Sequence, residues 1–404
     1  MTYITQFFKY LLLTTFVLFL FALIRVNITL HYQPTFKDNI NQDVLHQLHY
    51  LKDELHSKNA ANQMQAYYPE GFFFTNVLYG LAWADAIEKA DTTQFIYKEG
   101  ISEMRWAIEQ LLSEEGRLIA NSTLPLPDGA FYCGWSSYLM GKYVALNPSD
   151  TYYRNLFTIN CLIIKKAIEK TDKPYVESYM NAAWPADNIL CLASLNLHDK
   201  ILPPQYSAII STWLARIKSH LDTDLGMIPH SYNLLENKGL QGVRGSSQSL
   251  MLSFLPAIDS VFAKEQYALY TQHFVDCRLS LPAIREYPKG TLGYGDVDSG
   301  PVIWGIGASA AVVGLKAHIE NQGLTHYESS RNAIEAFGFA IDFKEKKKYV
   351  FGAIAVADAF MAWVNAKDLT QNDSTKTFWQ GWFHMGSLVF ILLFVYWIRR
   401  LFIN

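Results

Sequence analysis

The sequence has 404 residues, of which 50% are hydrophobic, 15% aromatic and 18% charged, with a formal net charge of −3. The charged fraction is too high for a protein that lies wholly inside a bilayer, whereas the apolar fraction exceeds what a soluble enzyme of this size needs. The slightly negative charge offers no basic field for a polyanion, which excludes nucleic acid as an expected partner. The four cysteines lie far apart, without the spacing of a zinc or haem site, so we expect no metal and no cofactor.

The first segment predicts an uncleaved membrane anchor at residues 1–30. Residues 10–24 contain no charge, and apolar residues beyond Arg25 extend the stretch to the roughly 20 residues that a span needs. The alternative is a cleaved signal peptide, but the sequence RVNI after the apolar stretch lacks the small-residue pattern of a cleavage site. We therefore expect this helix to remain attached as a transmembrane anchor.

The last segment, residues 371–404, predicts a second span. Residues 385–398 are apolar, an aromatic group precedes them, and Arg399 and Arg400 follow, which is the order of an interfacial belt, a span and a basic stop. The aromatic group consists of Phe378, Trp379, Trp382 and Phe383. Because Lys9 and the arginine pair lie in short tails, the positive-inside tendency places both termini in the cytoplasm and the central domain on the extracytoplasmic side.

Residues 31–370 predict one all-α domain, because apolar residues recur at helical spacing and almost no segment alternates as a strand does. Segments with a single apolar stripe, which suit outer helices, lie near residues 39–57, 93–112, 149–170, 204–221, 264–279 and 324–345. Segments that are apolar nearly all round, which suit buried inner helices, lie near residues 71–89, 131–146, 187–197, 246–261, 300–318 and 350–366. The alternation predicts six helical hairpins, and closing them into a double ring would bury all six inner helices.

The alternative architecture is a polytopic membrane protein that uses the inner helices as spans. Residues 301–315 and 349–364 are shorter than the run of about 18 apolar residues that a span requires, and Asp358 interrupts the second of them. The pattern therefore favours an (α/α)6 toroid of six helical hairpins, flanked by an N-terminal and a C-terminal transmembrane helix.

Two short motifs, WPADN at residues 184–188 and DVDSGP at residues 296–301, stand in segments that lead into inner helices. With these motifs and its helix pattern over residues 39–366, the chain resembles the (α/α)6 toroid enzymes. These include six-hairpin glycosidases, polysaccharide lyases, sugar epimerases and linalool dehydratase/isomerase-like proteins. The resemblance implies that the outer-to-inner loops all open on one face, where residues at the starts of the inner helices converge on one cavity.

The converging loops supply the expected site, and the loop at residues 285–300 is the richest in glycine, aromatic and acidic residues. Paired carboxylates serve as general acid and base, or as acid and nucleophile, and aromatic faces stack on sugar rings. The candidate acid and base residues are Asp187, Asp296, Asp298, Glu70 and Asp128. The candidate substrate-binding residues are Trp184, Tyr132, Tyr294, Arg244, Tyr68, His230, Gln248 and Cys133. The alternative role of a carboxylate here is a helix cap, as for Asp187, or for Asp298 and Ser299 ahead of Pro301.

These features predict a membrane-anchored enzyme of the cell envelope that acts on a glycan by hydrolysis, elimination or epimerisation, with carboxylate acid/base chemistry. One alternative is a dehydratase or isomerase of a small lipophilic alcohol that uses Cys133, His230 and an aspartate. Another is a non-catalytic glycan-binding membrane protein. The expected partners are a glycan or a small lipophilic substrate, and the lipid bilayer through two transmembrane helices.

Overall fold

The computed structural model describes residues 3–38, 40–367 and 379–403, and most of these residues lie in α-helices. The predicted boundary near residue 370, and Phe378, lie outside the described residues. The helices are α1 (Tyr3–Thr29), α2 (Gln42–Lys58), α3 (Ala60–Gln65), α4 (Gly71–Ile87), α5 (Phe95–Leu112), α6 (Gly129–Leu146), α7 (Thr151–Glu169), α8 (Pro185–Ile201), α9 (Ser207–Lys218), α10 (Gly245–Leu252), α11 (Leu255–Ile258), α12 (Ser260–His273), α13 (Ala308–Glu320), α14 (Leu324–Phe337), α15 (Ala355–Ala366) and α16 (Gln380–Ile403).

Short strands form antiparallel hairpins of two strands each, which the sequence pattern did not predict. The pairs are β1 (Phe36–Lys37) with β2 (Ile40–Asn41), β3 (Ser231–Asn233) with β4 (Lys238–Gln241), β5 (Val275–Arg278) with β6 (Leu281–Ile284), β7 (Val302–Ile303) with β8 (Ile306–Gly307), and β9 (Ile341–Asp342) with β10 (Lys347–Lys348). All but the first pair lie in loops that precede an inner helix. The strands therefore shape the loops and leave the helical framework unchanged.

The inner helices form a closed ring, in which each of α4, α6, α8, α10, α13 and α15 packs against the next and α15 returns to α4. The outer helices α2, α5, α7, α9, α12 and α14 each contact at least one inner helix. Glu70 and Tyr179, which precede inner helices, meet at one end of the ring, here called the upper face. Asp85, Lys142 and Lys316, near the ends of inner helices, meet at the other end, the lower face. The predicted (α/α)6 toroid is confirmed.

Burial in the helices follows the sequence pattern. Helix α4 is buried at nearly every position, whereas outer helix α5 buries a single stripe of Gly100, Glu103, Met104, Ala107, Ile108 and Leu111. Several outer helices begin at a side chain that accepts a hydrogen bond from a backbone N–H of the first turn; these caps are Asn41, Asp150 and Asp259. Local capping thus sets where the outer helices start, and burial sets where the inner ones lie.

Aromatic rings fill the centre of the toroid. Trp135 of α6 lies 5.4 Å from the ring of Phe74 in α4 and 6.0 Å from the ring of Trp363 in α15. Phe254 stacks on Trp363 at 6.0 Å, and both tryptophans are fully buried. Since these side chains occupy the space between the inner helices, they separate the upper face from the lower face by an apolar layer.

Three of the predicted helices stop earlier than the pattern indicated. The segment near residues 246–261 is divided, because α10 ends at Leu252 and Pro256 has no backbone N–H with which to continue it. The segment near residues 264–279 is helical only to His273, and its last residues form β5. The outer helix predicted near residues 324–345 likewise ends at Phe337, ahead of the hairpin of β9 and β10.

The inner helix predicted near residues 300–318 begins only at Ala308. The hairpin of β7 and β8 comes first and turns at Gly305, whose φ of +82° is a conformation that glycine adopts without strain. Asp298 and Ser299 consequently do not cap this helix, and they remain in the loop that leads to it.

Helices α1 and α16 pack against each other along the edge of the ring. The ring of Phe394 lies 5.7 Å from that of Phe16 and 6.1 Å from that of Phe19, and His384 stacks on His31 at 5.0 Å. Of the helices in the described residues, these two are long and apolar enough to cross a membrane, and almost none of their residues is buried. The inner helices do not meet this criterion, which argues against the polytopic alternative.

Candidate functional site

Three carboxyl groups from loops far apart in the sequence share the upper face. Glu70 directly precedes α4, Asp187 lies in the first turn of α8, and Asp298 lies in the loop before α13. The charges of Glu70 and Asp298 act on Asp187, and all three carboxyls act on the phenol of Tyr179. These four residues are called the carboxylate cluster below.

Asp187 is the most deeply buried of the three acids, with 7% of the residue exposed. Burial raises its pKa to about 7, and the negative charges of Asp298 and Glu70 add to this rise, while a hydrogen bond from Ser178 opposes it. The cap position of α8 is Trp184, whose side chain makes no cap bond, so Asp187 does not serve as the N-cap. A carboxyl group with this pKa exchanges its proton near neutral pH.

Glu70 is joined to the loop before α8 by Tyr179, whose hydroxyl donates to the Oε1 atom of Glu70 at 3.0 Å. Burial raises the pKa of Glu70, and this hydrogen bond acts against the rise. The ring of Trp184 meets that of Tyr179 edge-on at 5.5 Å. Tyr68 stands on the same side, since the charge of Glu70 adds to the burial that raises the pKa of its phenol. The predicted residues Glu70, Tyr68 and Trp184 are therefore neighbours.

Asp298 is the exposed member of the cluster, with 46% of its side chain accessible. Its Oδ2 atom lies 3.4 Å from the Nε2 atom of the buried His230. The Nδ1 atom of His230 forms a short hydrogen bond with the hydroxyl of Ser247, in the first turn of α10. The Nε2 atom of His230 also accepts a hydrogen bond from the Nη1 atom of Arg244 at 3.3 Å. His230 therefore lies beside Asp298 at the start of an inner helix, and the Asp298 carboxylate stays open to solvent.

Arg244, at the cap position of α10, is 4% exposed and binds two carboxylates of the protein itself. Its Nη1 and Nη2 atoms donate to Asp296 at 2.7 and 2.8 Å, and its Nε atom donates to Glu286 at 2.7 Å. Hydrogen bonds from Arg244 hold the pKa of Asp296 well below its usual range, so Asp296 is ionised and unsuited to donate a proton. Binding of a substrate carboxylate, the role predicted for Arg244, would have to displace these partners.

Asp296 also organises the loop that carries Asp298. One of its carboxylate oxygens accepts hydrogen bonds from the backbone N–H groups of Asp298 and Ser299, at 3.1 and 3.0 Å. The backbone N–H of Asp296 donates in return to the Ser299 hydroxyl at 2.9 Å. A side chain at Gly295 would collide with the carbonyl of Gly300, so the tight turn requires glycine there. Arg244 and Asp296 together fix where Asp298 stands.

A separate group lies at the start of α6. Asp128 forms an ion pair of 2.8 Å with Arg117, which also donates to the Tyr132 hydroxyl at 3.3 Å. Tyr132 donates to the carbonyl of Leu111, and burial raises the pKa of its phenol to about 12. Cys133 donates to a backbone carbonyl at 3.0 Å, and burial raises the pKa of its thiol. The structure thus gives Asp128, Tyr132 and Cys133 contacts of their own, apart from the carboxylate cluster.

The last two predicted residues take different places. Gln248 is buried and donates to the carbonyl of Ile228 at 2.6 Å, which ties α10 to the preceding loop. Tyr294 is 92% exposed on the rim of the upper face, and its carbonyl accepts a hydrogen bond from Tyr287. Tyr294 can contact a ligand from the rim, whereas Gln248 acts within the framework.

Sequence reasoning missed Tyr179, Ser178 and Glu286. Glu286 falls within the loop at residues 285–300 that the sequence singled out, so its acidic character inside that loop was an available signal. No motif marks Tyr179 or Ser178, because their roles depend on contacts with Glu70 and Asp187 that the fold creates.

The lower face carries a different charged group. Asp85 forms ion pairs with Lys142 at 3.0 Å and with Lys316, and all three side chains are largely buried. A surface pocket beside it is lined by Phe36, Asn41, Val44, Asp85, Ala86, Glu88, Lys89, Ala366 and Lys367. The two cations hold the pKa of Asp85 well below its usual range against the effect of burial. Fully ionised and paired, this group suits a structural role.

Comparison with known proteins finds no matching family model and no matching curated protein. Among solved structures, the chain is similar to the unsaturated glucuronyl hydrolase of Bacillus sp. GL1, described as responsible for the degradation of glycosaminoglycan. The identity is 11% and the TM-score 0.45, over 73% of this chain and 85% of that one. A structure named as a UGL variant with dGlcA-Glc-Rha-Glc has 10% identity and a TM-score of 0.44 over the same shares. The helix contacts of this chain establish its ring independently of these likenesses.

Proposed function

We propose that this chain is a membrane-anchored enzyme of the (α/α)6 class that acts on a glycan by acid/base chemistry at the carboxylate cluster. The observation that carries the proposal is the pair of unequal aspartates on the upper face. Asp187 is buried with a pKa near 7, and Asp298 is half exposed beside His230. Two carboxyl groups in such different environments suit the two roles of proton donor and proton acceptor.

Asp187 is the proposed general acid. A carboxylic acid whose pKa lies near the working pH is protonated often enough to donate and acidic enough to do so readily. Asp298 is the proposed base or nucleophile, because its carboxylate faces solvent and a bound substrate. The Arg244–Asp296 pair positions its loop, and His230 lies beside its carboxylate.

Glu70 is the proposed additional acid of the cluster. Its hydrogen bond with Tyr179 holds it near Asp187, whose pKa its charge raises. Trp184 is half-buried next to Tyr179, and Tyr294 is exposed on the rim, where their rings can stack on sugar faces. This combination of acids and aromatic rings favours a glycan over a small alcohol. The products of the reaction will distinguish hydrolysis, elimination and epimerisation.

Membrane anchoring by α1 and α16 is part of the proposal. Both helices are apolar, long enough to span a bilayer and almost without buried residues, which is unfavourable in water. The basic residues Lys9, Arg399 and Arg400 lie toward the outer ends of these helices, which supports cytoplasmic termini and an extracytoplasmic ring. The anchors would then occupy residues 1–30 and 371–404, and the enzymatic unit residues 31–370.

The test is turnover of a glycan panel by the full chain purified in detergent. Asp187→Asn and Asp298→Asn should each lower kcat/KM by about 10² to 10⁴-fold, the usual contribution of one acid or base. The matched control is Asp128→Asn, which removes an acid of the same face outside the cluster and should leave turnover near that of wild type. Cys133→Ala should also retain activity. If this variant were inactive, the result would favour the dehydratase or isomerase alternative. If both cluster variants turn over a responsive glycan like wild type, the assignment is wrong.

A further inference from the structure

The direction in which α1 leaves the ring determines which face meets the membrane. Arg25 of α1 donates to the carbonyl of Ala340 at 2.6 Å, just beyond the end of α14 on the upper face. The carbonyl of Leu30 accepts a hydrogen bond from the side-chain amide of Asn332, which lies more than one turn before the end of α14. Helix α1 therefore runs antiparallel to α14, and the residues ahead of Arg25 project past the upper face.

Helix α16 leaves in the same direction. Its second turn contacts the end of α14, where the rings of Phe383 and Phe337 meet edge-on at 5.9 Å. Farther along, Phe394 packs against Phe16 and Phe19 of α1. Both span-forming helices thus project from the edge of the face that holds Glu70, Asp187 and Asp298. A bilayer around these helices lies on the side of the carboxylate cluster.

The upper face is also the apolar face of the ring. Each of the six loops that precede an inner helix exposes at least one large apolar side chain; in chain order these include Tyr67, Leu118, Met180, Leu235, Leu292 and Phe343. Leu235 and Leu292 are each 93% exposed. The described connections from inner to outer helices on the lower face expose no such residue. Exposed apolar side chains near that face are Phe36, which is 40% exposed in the segment before α2, and Phe95, Tyr152 and Val261 in the first turns of outer helices.

Aromatic residues and a lysine gather where the anchors leave. Phe339 and Phe351 stack at 5.2 Å and both are more than half exposed. Phe343 is 68% exposed, and the Nζ atom of Lys344 lies 5.4 Å from the centre of its ring. Exposed aromatic rings beside a lysine are typical of the boundary between lipid headgroups and hydrocarbon. This cluster therefore marks the depth at which the ring meets the bilayer.

The loop that carries Asp298 takes part in this surface. Leu292, Tyr294 and Val297 are 93%, 92% and 67% exposed, and they precede Asp298 by a few residues. An exposed apolar area of this extent on one face is unfavourable in water and is expected where a protein contacts a membrane or partner. The same loop thus presents apolar side chains outward and a carboxylate to the cluster.

We propose that the upper face rests on the bilayer that holds α1 and α16, and that the carboxylate cluster takes a substrate whose lipid tail stays in that bilayer. Trp135, Trp363 and Phe254 fill the space beneath the cluster, so a substrate can reach the cluster only from the upper face. The reacting part of the substrate therefore enters from the membrane side. The seating of the ring rests on the membrane anchoring proposed above and on the exposed apolar side chains of the upper face, and it does not depend on the reaction. The nature of the substrate, a lipid-linked glycan, rests on the function proposed above.

The seating is tested by lipid-quenching fluorescence on the full chain in phosphatidylcholine nanodiscs. Leu292→Cys on the upper face and Phe95→Cys near the lower face replace residues that are 93% and 79% exposed. Both are made in a Cys133→Ser/Cys277→Ser background, since the remaining cysteines are buried, and labelled with an environment-sensitive fluorophore. Spin-labelled lipid should quench the label at position 292 several-fold more than that at 95, and aqueous iodide should do the reverse. Equal quenching at the two positions overturns the seating, and Leu235→Cys repeats the measurement on another upper loop.

The substrate is tested by comparing kcat/KM for a lipid-linked glycan with that for the same glycan without its tail, both with the nanodisc-bound protein. We expect at least a tenfold preference for the lipid-linked form. Equal rates overturn the lipid-borne substrate, while the label positions still report the seating. Absence of turnover that depends on Asp187 and Asp298 with either form counts against the proposed function and leaves the quenching result intact.

Discussion

The Oδ2 atom of Asp298 lies 3.4 Å from the Nε2 atom of His230, and 46% of the Asp298 side chain is open to solvent. Asp187, in the same cluster, is 7% exposed, and burial raises its pKa to about 7. The ring thus keeps one aspartate in water and the other away from it, although both residues have the same intrinsic chemistry. Their different environments make the behaviour of the site with pH measurable.

The first prediction concerns the alkaline limb of the pH profile. If Asp187 donates a proton, kcat/KM falls as pH rises through about 7, where Asp187 loses that proton. Ser178→Ala removes a hydrogen bond that lowers this pKa, so the limb should move to higher pH. Glu70→Gln removes a negative charge that raises the pKa, so the limb should move to lower pH. Asp128→Asn serves as the control, and a shift in that variant as large as in Glu70→Gln contradicts the prediction.

The second prediction concerns stability. The folded protein keeps the proton of Asp187 up to about pH 7, whereas the unfolded chain releases it near pH 4. Between these values the unfolded state binds fewer protons, so the free energy of unfolding decreases as pH rises, by a few kcal/mol from this residue. Asp187→Asn should flatten that decrease. Urea unfolding of both proteins at pH 4.5 and pH 7.5 measures the difference, and parallel pH dependence would show that Asp187 has an ordinary pKa.

The third prediction concerns the buried pair of Arg244 and Glu286. Arg244→Ala leaves Glu286, which is fully buried, without its cation, and should cost about 3 to 5 kcal/mol of unfolding free energy. Adding Glu286→Gln should restore part of this loss, because the unpaired charge is then gone. The exposed pair of Arg105 and Glu109 is the matched control, and Arg105→Ala should change the free energy of unfolding far less, because solvent screens this pair. Equal losses for the two arginine variants in chemical denaturation count against the prediction.

The fourth prediction concerns the lower face. Asp85→Asn leaves the buried Lys316 with Glu320, at 4.0 Å, as its one remaining ion-pair partner among the described residues, and should destabilise the protein by about 3 to 5 kcal/mol. Adding Lys316→Met removes the stranded charge and should recover stability. The folded fraction of Asp85→Asn should keep the kcat of wild type, since this group lies at the opposite end of the ring from the cluster. A change in kcat without a change in stability would instead connect the lower face to the reaction.

The ring was predictable because burial leaves a direct record in sequence. Helix α4 is apolar all round and α5 on one side only, and this contrast distinguishes inner from outer positions without knowledge of the fold. The hairpins were harder to predict, because strands of two to four residues are too short to show alternation. The end of α10 ahead of Pro256 follows from the chemistry of proline, and the continuous apolar pattern concealed it.

The site was predictable only at the level of loops. The ring architecture was enough to predict that Glu70, Asp187 and Asp298 lie on one face, because all three precede or begin inner helices. The partners of Arg244 could not be read in this way, because whether a buried arginine faces a substrate or the protein's own Asp296 depends on side-chain directions across two loops. Tyr179 and Ser178 were missed for the same reason.

Ring closure has a consequence for how the chain is made. Helix α4 is covered on one side by α15, so its apolar surface stays incomplete until residues 355–366 have been synthesised. If α1 is the membrane anchor proposed above, it is available for insertion long before then, while the ring of inner helices is still open. Contacts between such distant parts of a chain form slowly. We expect a chain that stops before α15 to be retained by chaperones or degraded, even though all three acids of the cluster are already present.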